Sequence, residues 1–399
     1  MNPIDELRAA KPAHLDDGGR VDELTRATEL ARAMSGPRQA PARRRVVRPA
    51  WGLGLAGAAA AVTAAVVVVS GNGPVPANPS RAPGGTGVVA SAEPSASGTR
   101  TRAPRVALPA RQVLLAAAEN AARQDEGSGD YWHSESVSRN LYTVKDGGYL
   151  VVDRNRLEGW TPGATGGEQW SRSKSLGARP ATEQDRKAWE RAGSPSAFEA
   201  VIPGKGGGKE KYGAIPLSTS PRPARTERSS LVDGDKVFWL GRNVTMKDLR
   251  ELPSDPAKLK KWLMASYEGH GTEGDSQEMS GDVWLFTVSM GLIMDMPVTP
   301  EVRGAAFRML AELDEAKVTA DVTDAEGRSG TAVSVQEPTH GGGIDEKRLV
   351  FDESTGRALA RENVVVKAGT FQAGLEPGTV WTSEVLIGSG WTDAGPKGS

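Results

Sequence analysis

Residues 317–324 read KVTADVTD, with Val318, Ala320 and Val322 alternating with polar neighbours. Alternation at period two is the pattern of a strand with one buried face. Three stretches downstream repeat it: GTAVSVQ at 330–336, EKRLVFDESTGRALARENVVV at 346–366 and GTVWTSEVLIG at 378–388. DESTG at 352–356 splits the second into two strands joined by a tight turn, so the C-terminal third predicts an antiparallel meander.

Three helical stretches precede it. SDPAKLKKWLM at 254–264 places Asp255 as N-cap and Pro256 at the first helical position. TPEVRGAAFRMLAELD at 299–314 repeats that start with Thr299 and Pro300, and carries a stripe of Val302, Ala305, Ala306, Met309, Leu310 and Leu313. GDVWLFTVSMGLIMD at 281–295 is apolar nearly all round and reads as a buried helix or a strand. Further upstream a helix starts at Pro109, with Leu114, Ala117, Ala118 and Ala121 on one face. Strand candidates follow at 131–144, 148–162 and 167–176, and a short helix at 181–193. Gly- and Pro-rich residues 203–228 read as a mobile insertion, after which KVFWLG at 236–241 returns to strand. Helix, strands, helices, strands is the order of an α+β domain: one twisted antiparallel sheet packed by helices over residues 108–399.

The N-terminal quarter is organised differently. Residues 50–70, AWGLGLAGAAAAVTAAVVVVS, carry no charge, and a helix of that length rises about 31 Å, the thickness of bilayer hydrocarbon. Arg43, Arg44, Arg45 and Arg48 precede it and Trp51 sits in its first turn. That arrangement predicts an uncleaved single-pass anchor over 49–70 with the N-terminus in the cytoplasm. Residues 1–48 then form a basic inner tail with an amphipathic stretch at 21–34. Residues 71–107, with six Gly and six Pro, form a disordered stalk, which leaves 108–399 outside the cell membrane.

The chain's net charge of −1 is unevenly spread: +3 over 1–48, +3 over 49–107 and −7 beyond. An acidic outer domain lacks the positive field of a nucleic-acid groove, so no nucleic-acid partner is expected. The chain has no cysteine, which excludes disulfides, thiolate metal sites and thiol nucleophiles. GKGGGKEK at 204–211 lacks phosphate-loop spacing, and His133 and Glu135 have no third metal ligand nearby in sequence. His340 in PTHGGG lies in a turn without an evident partner. No catalytic residue, metal ligand or cofactor is assigned. Nine of the ten tryptophans lie after residue 108. Trp132, Trp160, Trp170 and Trp239 fall in strand stretches, where they would line an apolar ligand groove or fill the core between sheet and helices.

MNPIDELRAAKPAHLDD, RRRVVRPAWGLGLAG, LPSDPAKLKKWL, MPVTPEVRGAAFRML and the stretch from DVTDAEGRSG to ARENVV together resemble an uncharacterised family of actinobacterial single-pass membrane proteins. Its members are often encoded beside extracytoplasmic-function sigma factors. Their outer part is similar in layout to the half-barrel domains of lipoprotein carriers and of regulators of anti-sigma factors. The resemblance implies a half-barrel-like sheet and a non-enzymatic sensing or binding role at the cell surface. It also implies a cytoplasmic sigma factor as a partner for the 1–48 tail. A lipid or lipoprotein carrier with an apolar cavity is the second expectation, and an extracellular hydrolase the third.

Overall fold

The computed structural model describes residues 109–203, 212–240, 242–272, 277–339 and 341–396. The inner tail, the span, the stalk, GKGGGKEK and His340 lie outside the described residues, and no helix among those described is long and apolar enough to cross a membrane.

In chain order the strands are β1 (Tyr131–Thr143), β2 (Leu150–Pro162), β3 (Glu168–Pro180), β4 (Ala197–Pro203), β5 (Tyr212–Ser218), β6 (Arg225–Ser230), β7 (Lys236–Trp239), β8 (Arg242–Thr245), β9 (Lys317–Thr323), β10 (Ser329–Thr339), β11 (Gly343–Asp352), β12 (Arg357–Lys367) and β13 (Val380–Thr392). Nine of them make one antiparallel sheet in the order β6-β3-β2-β1-β13-β12-β11-β10-β9. It is two meanders, one from each end of the domain, joined where β13 pairs with β1. β4 with β5 and β7 with β8 form separate hairpins.

The helices are α1 (Ala110–Ala122), α2 (Glu183–Arg191), α3 (Met246–Arg250), α4 (Pro256–Met264), α5 (Gly281–Met294) and α6 (Pro300–Leu310). Their starts follow local chemistry: Asp255, Ser280 and Thr299 accept from the backbone N–H three residues on, and Thr182 and Thr245 head full capping boxes. The Ser280 cap explains why 281–295 is helix rather than strand. The α5 residues Trp284, Phe286 and Leu292 are fully enclosed, so this helix lies in the middle of the core. α1 packs on α6 through Ala118 and Gly304, where a Cβ on Gly304 would sit 2.8 Å from the Ala118 carbonyl. It also closes on the DESTG turn, since Asn120 Nδ2 donates to the Glu353 carbonyl at 2.7 Å. Gly356 adopts φ +65° there, and a Cβ would meet Ala117 O at 2.5 Å, so only glycine fits.

Two sequence expectations are corrected. The alternation of KVTADVTD is broken at Asp321 (φ 55°), where β9 slips register against β10. Val318 therefore packs into the helix-side core, while Val322 joins a small cluster with Ala332, Val350, Ala360 and Val385. One bulged residue reverses the facing of everything beyond it. The proposed insertion at 203–228 also contains regular structure: β5 pairs with β4, and β6 forms an edge of the large sheet. Edge positions tolerate the proline and charges that made the segment look irregular.

Candidate functional site

Register decides which side chains share a face. The helix-side core takes Trp132, Val333, Val335 and Leu349 from one face of the sheet. Further along that face the strands present polar groups instead. One row runs Lys347 (β11), Asn363 (β12), Thr382 (β13), Asn140 (β1) and Asp153 (β2), each directly opposite the next. The adjoining row runs Arg361, Glu384, Ser138 and Asn155. Ser136, opposite Leu157, starts a third. Exposure changes along the rows: Asn363 and Thr382 are buried, whereas Asn140, Asp153, Ser138 and Asn155 are half-buried.

The buried end is ionic. Arg361 donates to Glu384 Oε2 from Nε (3.0 Å) and Nη2 (2.5 Å), and from Nη1 to Asp295 Oδ2 (2.5 Å) at the C-cap of α5. Ser136 Oγ donates to Glu384 Oε1 at 2.7 Å, and Trp132 Nε1 to the Asp295 carbonyl at 2.8 Å. Burial works against the Arg361 charge, yet the two facing carboxylates outweigh it and raise its pKa. Burial raises the Asp295 pKa, Arg361 opposes it, and Glu384 adds to it. Beside this triad, Lys347 pairs with Glu337. Asp345 accepts from Trp381 Nε1 (2.9 Å) and Gln372 Nε2 (3.3 Å).

Burial pushes Asp345 up to about 6, against the hydrogen bonds from Trp381 and Gln372. A raised carboxylate pKa means that the folded chain binds more protons than the unfolded chain between about pH 4 and 6. The contribution of Asp345 is therefore fully present below pH 4 and is lost as pH rises to 6. Asp345→Asn is expected to flatten this dependence. Thermal melts should show the variant gaining on the wild type by roughly 2–4 °C between pH 4 and pH 7. A constant difference across that window would refute the assignment.

Two buried polar atoms on these rows are left without partners: Asn363 Oδ1 and Thr382 Oγ1, on side chains directly opposite each other. Nearly all such atoms in folded proteins are satisfied, so this pair stands out as an unsatisfied spot on the sheet. From there the hydroxyls and amides of β1 and β2 lead outward as a floor of alternating donors and acceptors.

The four tryptophans do not share a groove. Trp132 is on the helix side, edge-on to Trp391 at 5.7 Å. Trp160 and Trp170 are opposite each other, and Trp160 is opposite His133, so these three occupy the other face. Arg172 lies 5.3 Å over the Trp160 ring and Arg228 5.6 Å over that of Trp170. Trp239 belongs to the separate β7–β8 hairpin and is wholly buried against Trp262. Glu135 pairs with Arg156, and the His133 ring packs on Trp160 at 4.8 Å, with burial lowering the His133 pKa. Among the described residues no group of His, Cys, Asp and Glu is placed to hold a metal ion. The sequence reading did not single out Arg361, Asp295, Glu384, Asn363 or Thr382. None of the five carries a local sequence signal, because only the pairing of β12 with β13 and the end of α5 bring them together. No family model, no curated protein and no solved structure matches the chain.

Proposed function

We propose that this chain is a membrane-anchored, non-catalytic sensing or binding protein. Its outer α+β domain takes a polar ligand on the helix-bearing face of a half-barrel-like sheet. The observation that carries this reading is the set of polar rows across β11, β12, β13, β1 and β2, one of which includes the unpartnered Asn363 and Thr382 atoms. Most of these groups are paired or half-buried, but leaving Asn363 Oδ1 and Thr382 Oγ1 buried and unsatisfied lowers stability, which supports a use other than packing. The same floor weighs against the carrier reading, because a lipid chain would leave these groups dry. The span at 50–70, the arginines from Arg43 to Arg48 and the resemblance to sigma-factor-linked membrane proteins support an anchored topology. They also support a cytoplasmic partner for residues 1–48, a sigma factor in this reading.

Protease treatment of intact protoplasts expressing the full chain tests the topology. The expected result is digestion of the domain beyond residue 108 and protection of an epitope in residues 1–48. Release of the full chain from membranes by alkaline carbonate, or the reverse protection pattern, would overturn it.

A further inference from the structure

We propose that the sheet face opposite the helices holds a binding site for a phosphate-type anion, formed by Arg139 on β1, Arg154 on β2 and Arg179 on β3. This site is independent of the polar rows. Arg139 and Arg154 are directly opposite in the register, and Arg179 lies beside them, opposite Val152. Among the described residues, one carboxylate ion-pairs with this group of arginines. Glu326, on the β9–β10 turn, lies 3.4 Å from Arg139 Nη1 and 3.5 Å from Arg154 Nη2. Arg179 makes no ion pair among the described residues. Nearby charges are committed elsewhere: Arg328 to Asp324 at 2.7 Å and Arg348 to Glu346 at 3.0 Å. Glu362 lies across Ser383 from Arg139, and burial raises its pKa, which weakens it as a counter-charge.

The crowding has physical consequences. Burial depresses the Arg139 pKa, and the charges of Arg179 and Arg154 depress it further. Arg154 Nε is buried without an acceptor. Like charges that are half-buried repel more strongly than they would in water, and an orphaned guanidinium donor adds to the cost. Arg139 and Arg154 expose 17% and 21% of their side chains, and Arg179 is exposed, so an ion can reach all three. A tetrahedral oxyanion suits this layout better than a carboxylate. Its oxygens can accept from guanidiniums approaching from three strands, two bonds to each. The anion would be the phosphate of a free solute or of a lipid headgroup, which share this chemistry.

The test uses the full chain in phosphatidylcholine nanodiscs, titrated with inorganic phosphate at constant ionic strength against chloride. Saturable binding is expected, weakened about tenfold or more by Arg179→Gln and by Arg154→Gln. Glu326→Gln is expected to tighten it, because the competing negative charge is removed. Arg179 is exposed, so its variant reports on binding even if Arg154→Gln fails to fold. A second arm adds phosphatidylglycerol vesicles. Capture by vesicles that phosphate competes away identifies a headgroup, and phosphate binding without capture identifies a free solute. The site is overturned if neither phosphate nor vesicles bind. It is also overturned if both arginine variants bind as the wild type does, or if Glu326→Gln weakens binding.

Discussion

Arg361→Met is expected to lower the unfolding free energy by about 3–5 kcal/mol, read as a shift in urea midpoint at unchanged slope. The guanidinium is nearly fully enclosed and, among the described residues, is the only cation paired with Asp295 and Glu384, at 2.5 Å from each. Methionine matches much of its volume, so the loss is not mainly one of packing. It comes from two carboxylates left facing each other in a poorly solvated site, one of them at a helix C-terminus, where the backbone dipole already disfavours negative charge. Adding Asp295→Asn and Glu384→Gln to Arg361→Met should therefore return most of the stability, because the triad as a whole contributes far less than its broken form costs. A single-variant loss under about 1 kcal/mol would show that water reaches the site freely and that the network is not dry.

Much of the fold is legible in the sequence, because its signals are local. Caps at Asp255 and Thr299 fix helix starts and the DESTG turn fixes a hairpin, whereas 281–295, apolar nearly all round, reads equally as helix or strand. The facing of the strands is legible only in part. In YWHSESVSRNLYT the even positions carry Ser134, Ser136, Ser138 and Asn140, and the odd positions carry His133, Glu135 and Arg139. Neither set is apolar, so alternation identifies the strand without saying which side meets the helices. The tryptophan groove failed for a related reason: Trp132, Trp160 and Trp170 are placed by pairing between strands, and a one-residue shift moves each to the opposite face. Asp321 shows the same limit inside a single strand, where one left-handed residue sends Val318 and Val322 to different sides. The polar rows are further still from sequence view, since five strands drawn from both ends of the domain must pair before Lys347 and Asp153 lie in line.

Trp239→Ala is expected to cost about 3–5 kcal/mol, the range for truncating a large buried aromatic. Trp239 has no exposed surface and stacks on Trp262 with ring centroids 5.9 Å apart. Its position on a four-residue strand of an isolated hairpin makes it a principal link between that hairpin and the helical core. Trp239→Phe separates packing from polarity. The indole Nε1 is buried with no acceptor, so phenylalanine removes a penalty of about 1–3 kcal/mol along with part of the ring. The two effects oppose, and Trp239→Phe should stay within about 1.5 kcal/mol of the wild type while Trp239→Ala falls well below it. Equal losses in the two variants would mean that Nε1 is satisfied in solution by an ordered water. The contact would then be a polar anchor, and the hairpin would be held by a hydrogen bond rather than by the stacked rings.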